Sequence, residues 1–278
     1  MKWLVLLAAC GSAPPAAHEP PHVTEPTGPE LVVEAPGATA FALDGSDVYW
    51  LAPGSGVWKG SVKLADADEH ARGLIILHDG SAVVPYWIHG DGSAAYPGGS
   101  AADPPLAVAN TNTGIVYAYA DHGAYTRIDL GAGFMLDGSD PVVAGGNDPL
   151  IGTSTTLYQG KDATPVDGGV RAIAADGDDV FFGNTRIFEK YGRGPVQNLG
   201  PAGGPVTAMA IDPTHVYWAI AAGDRDAAIY RARRAKPELE LVTRVGSASE
   251  LAIGGDYVYW LDPGEGAIHR IKRVTLGR

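Results

Sequence analysis

The chain has one cysteine, Cys10, among 278 residues, which excludes an internal disulfide and leaves folded stability to packing. Cations are scarce as well. Lys and Arg total 20 against 32 Asp and Glu, a formal charge of -12 at pH 7. That balance disfavours nucleic acid or an anionic membrane surface as principal partner, because phosphate binding takes clustered Lys and Arg. Beyond the first residues no run approaches the roughly 18 apolar residues that span a bilayer. Helical periodicity is almost absent, so long helices are not expected. Glycine is what abounds: 38 residues, about twice the usual share of ~7%, which points to many turns.

The N-terminus reads MKWLVLLAACGS, with Lys2 as a minimal positive region and Trp3 to Ala9 as a short apolar run. Leu7, Ala8, Ala9 and Cys10 resemble the cleavage box of a bacterial lipoprotein signal. The resemblance implies removal of Met1 to Ala9, acylation of Cys10 and attachment to the cell envelope, most plainly its outer membrane. The next stretch carries six prolines between Gly11 and Pro29 and almost nothing to bury, so residues 10–29 read as a tether able to reach about 50 Å when extended at ~3.1 Å per residue. His18 and His22 in this stretch read as spacers. Residues 30–278 remain for one domain.

That domain is repetitive. Bulky residues recur at Tyr49, Tyr86, Tyr117, Ile151, Phe181, Tyr217 and Tyr259, each 30 to 42 residues after the last. A second ladder runs in step with the first: Trp58, Tyr96, Tyr125, Tyr158, Phe188, Tyr230 and His269. Each unit reads as a small apolar strand, a tight turn, an aromatic strand, a Gly-rich turn, a third strand and often a fourth. Four short strands per 30 to 42 residues is the signature of a β-propeller blade. The expected fold is therefore an all-β propeller, with seven four-stranded blades. The segment from Glu30 to Ala35 repeats the fourth-strand run at Glu238 and has no blade before it, while the last unit lacks a fourth strand. Pairing the two would close the ring and remove two exposed edges. Consecutive bulky residues, as in Tyr257-Val258-Tyr259-Trp260, suit strands covered on both faces by neighbouring blades. One such aromatic stabilises by about 4–6 kcal/mol at most.

Tyr259-Trp260-Leu261-Asp262, followed by Gly-Ala-Ile-His-Arg-Ile-Lys-Arg, resembles the YWTD repeats of low-density-lipoprotein-receptor-type propellers and of related bacterial lipoprotein propellers. Tyr49-Trp50, Tyr86-Trp87 and Tyr217-Trp218 keep the aromatic pair without the Asp, and the receptor family has six blades. The resemblance implies a binding domain that uses one face of the ring, without catalysis.

The candidates for chemistry are few. The DGSD runs at Asp44 and Asp137 and the DGDD run at Asp176 look like calcium loops, but Asp and Gly are also what tight turns select. His78, His89, His122, His215 and His269 fall near turns of different units, which does not suit one metal centre. No GxSxG elbow supports a catalytic triad. Arg231 to Lys236 is the one basic cluster and reads as a solvated strand edge. Thr39, Arg171, Thr207, Ser249 and Glu250 fall at the starts of first strands, hence at a channel mouth, and Arg171 and Glu250 are the candidate ligand contacts. No cofactor or metal is expected. The function expected is that of a non-enzymatic, lipid-anchored, monomeric scaffold that binds a protein, peptide or polysaccharide of the envelope. The alternative is a hydrolase or lyase of the metal-dependent lactonase type, which would need carboxylates with Asn or His converging on the channel mouth.

Overall fold

The computed structural model describes residues 28–79, 82–88, 105–111, 114–119, 124–127, 132–135, 142–144, 150–160, 162–222, 227–234 and 236–273. Met1 to Ala9, Cys10, His18, His22, His89, Tyr96, His122 and Asp137 lie outside them. Among the described residues there is no helix, and the strands form seven antiparallel sheets, six of four strands and one of two. In chain order the sheets are blade 1 (40–65), blade 2 (72–88, two strands), blade 3 (105–135), blade 4 (142–165), blade 5 (172–201), blade 6 (206–244) and blade 7 (250–272). The first strand of every blade touches the first strand of the next, and that of blade 7 returns to that of blade 1. The protein is a β-propeller, and the seven sheets are consistent with the seven-blade expectation.

Closure is made by the N-terminal strand. Glu30–Glu34 adds to blade 7 as its fourth strand, in the register Glu30↔Arg270, Leu31↔His269 and Glu34↔Ala267. The Ala35 N–H continues the ladder to the Gly266 carbonyl at 2.7 Å. The outer edge of the last blade is thus paired rather than open. Arg270 ties the added strand by its side chain too, lying over the Tyr257 ring at 4.2 Å and bonding the Glu30 carboxylate at 2.9 Å.

The seams between blades form the core, and the second strands supply them by strict alternation. Tyr49 packs forward onto blade 2 and Trp50 backward onto blade 7. Tyr217 likewise faces blade 7 and Trp218 blade 5, while Tyr259 faces blade 1 and Trp260 blade 6. Phe181 and Phe182 play the same two parts in blade 5. A strand covered on both sides can bury successive residues because its side chains alternate between two protein surfaces. On the backward face the second sequence ladder meets the residues that follow the first. Trp50 pairs with Trp58, Trp218 with Tyr230, Trp260 with His269 and Phe182 with Phe188, with ring centroids 5.1 to 6.1 Å apart. Buried indoles still need acceptors, and Trp50 and Trp218 donate to the carbonyls of Gly60 and Ala202.

The end of the ring opposite the channel mouth is held by ion pairs between blades. The DGDD run at Asp176 forms a two-residue turn in which Asp176 faces Asp179 and Gly177 takes φ +62°. Its two carboxylates receive Arg234 of blade 6, at 2.7 Å for Asp176 and 3.0 Å for Asp179. Arg273 of blade 7 repeats the move onto Asp212 of blade 6 at 2.5 Å. Burial pushes the Asp212 carboxyl up, but hydrogen bonds from Thr214, His215 and Arg273 outweigh it and hold the group below its ordinary value. The basic run at Arg231 is consequently a solvated edge only in part, at the exposed Arg233. Arg231 is 8% exposed and bonds Glu240 within its own blade, and Arg234 is the inter-blade tie. Nor are all the histidines loop residues: His215 is largely buried beside Asp212, and His269 stacks on Trp260.

Deleting residues 30–35 strips the closing strand and bares the paired edge of Ala267–Lys272. The expected outcome is a melting temperature lower by several degrees and a transition that becomes broader, read by circular dichroism. An unchanged melt would mean that closure contributes nothing to stability.

Candidate channel-mouth site

First strands all begin at one end of the ring, and the ladder register identifies equivalent positions around it. Ala42, Ala174, Ala210 and Ala252 each lie opposite the second-strand aromatics Tyr49, Phe181, Tyr217 and Tyr259. Three residues upstream of these alanines stand Thr39, Arg171, Thr207 and Ser249. Thr39, Arg171 and Ser249 are seated alike, donating N–H to the carbonyls of Leu51, Gly183 and Leu261 at 2.8 to 3.1 Å. Thr207 sits in a bulge, and its hydroxyl bonds the Ala248 carbonyl of blade 7 at 2.6 Å.

Arg171, Thr207 and Ser249 line one cavity of about 690 Å³ at this mouth. Ser154, Ser247 and Gly168 add polar surface, and Val142, Val170, Val206, Ala221, Ala222 and Pro263 supply an apolar wall. The volume is within the ~300–1,000 Å³ of small-molecule sites. Among the described lining residues Arg171 carries the one formal charge, and it is exposed with no hydrogen bond or ion pair to another described side chain.

Two polar side chains fix the loops that wall the cavity. Asp262, the acid of the Tyr-Trp-Leu-Asp run, is 2% exposed and accepts from Ser247 N–H and Oγ and from the N–H groups of Gly264 and Glu265. Burial raises its pKa, yet these donors win and hold the carboxyl below its ordinary value. Asn184 holds the same position in blade 5. Its Oδ1 accepts from Thr185 and Arg186 N–H, and its Nδ2 donates to the carbonyls of Asp167 and Gly169 at 2.9 Å. Each residue therefore ties its own blade's second turn to the loop arriving from the blade before. Sequence reading missed Asn184. The signal was there, since Phe181 plus three and Tyr259 plus three are both short polar residues in otherwise apolar runs. Gly169, between the lining residues Gly168 and Val170, packs its backbone on Ser154: it takes φ +72°, and a Cβ there would lie 2.4 Å from the Ser154 carbonyl oxygen.

The two candidate contacts are not brought together. Arg171 opens into the cavity, whereas Glu250 lies outside its lining. Glu250 stands where blades 1, 5 and 6 have Ala40, Ala172 and Ala208, residues that pack onto the following blade. It too reaches forward, across the closing seam, where Oε2 accepts the Phe41 N–H of blade 1 at 2.7 Å. Burial in the seam pushes its pKa up to about 7 from 4.5, against the opposing pull of the Phe41 N–H. Among the described residues no three His, Cys, Asp or Glu side chains gather as a metal site requires.

Solved structures similar to this chain share its fold at low sequence identity. The WD40 β-propeller domain of Doa1 is 12% identical, with 90% of this chain and 98% of that one covered at a TM-score of 0.62. BBS1N, solved in complex with ARL6DN, is 10% identical over 89% of this chain and 95% of that one, with a TM-score of 0.59. The extracellular domain of a putative hybrid two-component system from B. thetaiotaomicron is 10% identical over 90% of this chain, with a TM-score of 0.61, and this chain spans 40% of its length. No protein-family model and no curated protein sequence matches the chain.

A carboxyl that titrates higher when folded stabilises the fold at low pH. The Glu250 contribution is complete below about pH 4.5 and is lost as pH rises through about 7. Glu250→Gln keeps an acceptor for Phe41 and removes the charge. It should melt like the wild type at pH 4.5 and several degrees higher at pH 8, corresponding to at most about 3 kcal/mol. Parallel melting curves across the whole range would show that Glu250 does not titrate in the seam.

Proposed function

We propose that the protein is a non-enzymatic binding scaffold whose partner, a protein, peptide or polysaccharide, engages the channel mouth. The observation that carries this reading is the roughly 690 Å³ cavity with an apolar wall, hydroxyl groups and one uncommitted guanidinium, set on loops pinned by Asn184 and Asp262. A hydrolase of the lactonase type would need acids or imidazoles converging there, and the described lining has neither. The protein-bound state of BBS1N is an example of a partner held by a neighbour of this fold. The Leu-Ala-Ala-Cys box supports the second half of the proposal, a lipid anchor on Cys10 that holds a single copy at the bacterial envelope, in the manner of YWTD-like lipoprotein propellers. The B. thetaiotaomicron neighbour, an extracellular domain, is in keeping with an envelope location.

A photo-reactive amino acid placed at Ser249 should crosslink a discrete partner in intact envelopes, and the same group at Asp256, in a turn at the opposite end, should not. Capture from Asp256 alone, or from neither position, would move the binding face away from the mouth. Cys10→Ala should shift the protein from the membrane to the soluble fraction with its melting temperature unchanged. Retention in the membrane fraction would count against the lipid anchor.

A further inference from the structure

We propose that the channel-mouth cavity is a carboxylate site in which Arg171 receives the single negative charge of an otherwise apolar acid. The inference rests on the reading that ligands bind at the mouth, and it names their chemical class. Three features of the cavity lead to it. Arg171 is the one formally charged side chain in the described lining, in a chain whose overall charge is -12. An anion entering here meets a cation and no described carboxylate in the wall. The guanidinium has no internal counter-ion among the described residues, unlike Arg231, Arg234, Arg270 and Arg273, each of which is bonded to an acid. Those four arginines serve the fold through acids, and the one that lines the cavity does not.

The type of anion follows from the count of charges. One planar guanidinium matches one carboxylate through two parallel N–H donors. A phosphate dianion is bound elsewhere by clustered cations, and the described wall offers a single one. The Ser249 hydroxyl, uncommitted to any described partner, stands at the equivalent position two blades on and can add a neutral donor. The remainder of the wall is valine, alanine and proline, which suits an aliphatic body behind the acid. Because Asn184 and Asp262 fix the loops before any ligand arrives, little ordering is left to be done on binding. Two sources present this chemistry: the C-terminal carboxylate of a peptide, and a free aliphatic acid.

The full-length chain, labelled with ¹⁵N, would be titrated with acetyl-Ala-Val bearing a free carboxylate, with the same dipeptide as its C-terminal amide, and with hexanoate. The acid is expected to shift the amide signals of Gly168, Ser247 and Ser249 and to bind at least tenfold more tightly than the amide. Arg171→Ala should abolish that tenfold difference and Arg171→Lys should retain part of it, with both variants melting as the wild type does, since the exposed Arg171 side chain bonds no described side chain. Binding of the dipeptide acid without hexanoate upholds the proposal and identifies a chain terminus; hexanoate without the dipeptide upholds it and identifies a small acid. Equal binding of acid and amide, unaffected by Arg171→Ala, overturns the carboxylate assignment and leaves the mouth a binding site. No shift at those three amides with any probe overturns the mouth reading along with it.

Discussion

Everything in this ring depends on one constraint: each blade must be greasy on both faces, because it has a neighbour on each. The second strand meets that constraint with two consecutive aromatics, the first sent forward and the next sent back, as with Tyr217 and Trp218 or Tyr259 and Trp260. The backward aromatic then stacks on its own third-strand partner, so intra-blade and inter-blade packing share the same ring. Losing one such residue opens a seam and unsupports a stack together. The polar edges are handled separately, by carbonyl acceptors for the indoles and by arginines that cross from one blade to the acidic turn of the previous one.

The seam between blades 7 and 1 differs from the others because it must join the chain's two ends. Hydrophobic packing there is ordinary, with Phe41, Trp50, Tyr259 and Ile268 in one cluster. Added to it are a borrowed strand, the Arg270 contact with Glu30 and Tyr257, and a carboxyl at Glu250 where blades 1, 5 and 6 have alanine. The chain crosses this seam from the borrowed strand through residues 35–39, and directional hydrogen bonds specify the seam's register. The burden of Glu250 is that its charge is disfavoured by burial.

The two ends of the ring use charge in opposite ways. At one, Arg234 and Arg273 are consumed in inter-blade ties: the carboxylates of Asp176 and Asp179, in the DGDD turn that resembled a calcium loop, receive Arg234, and Asp212 receives Arg273. At the other, the acid and the amide that could have faced a ligand, Asp262 and Asn184, are turned into the protein to brace loops, and Arg171 is left open. An Asp at this position is therefore dispensable where another residue braces the turn, as Asn184 does in blade 5.

The blade period, the alternation within each aromatic strand, the Asp-Gly turns and the closing strand at Glu30 were all legible in the sequence. Each rests on local physics: the two-residue repeat of a strand, the positive φ that glycine allows, and the need to pair an edge. What only the tertiary structure decided is which polar groups meet. Glu250 finds Phe41 across 209 positions of chain, and Arg234 finds Asp179 across 55. Their separation in sequence carries no periodic mark, so Arg231 and Arg234 read as a solvated strand edge although both are paired with acids. Likewise Arg171 and Glu250 looked equivalent as charges at the starts of first strands. One residue of register and the alternation of the pleat send the first into the cavity and the second into the seam.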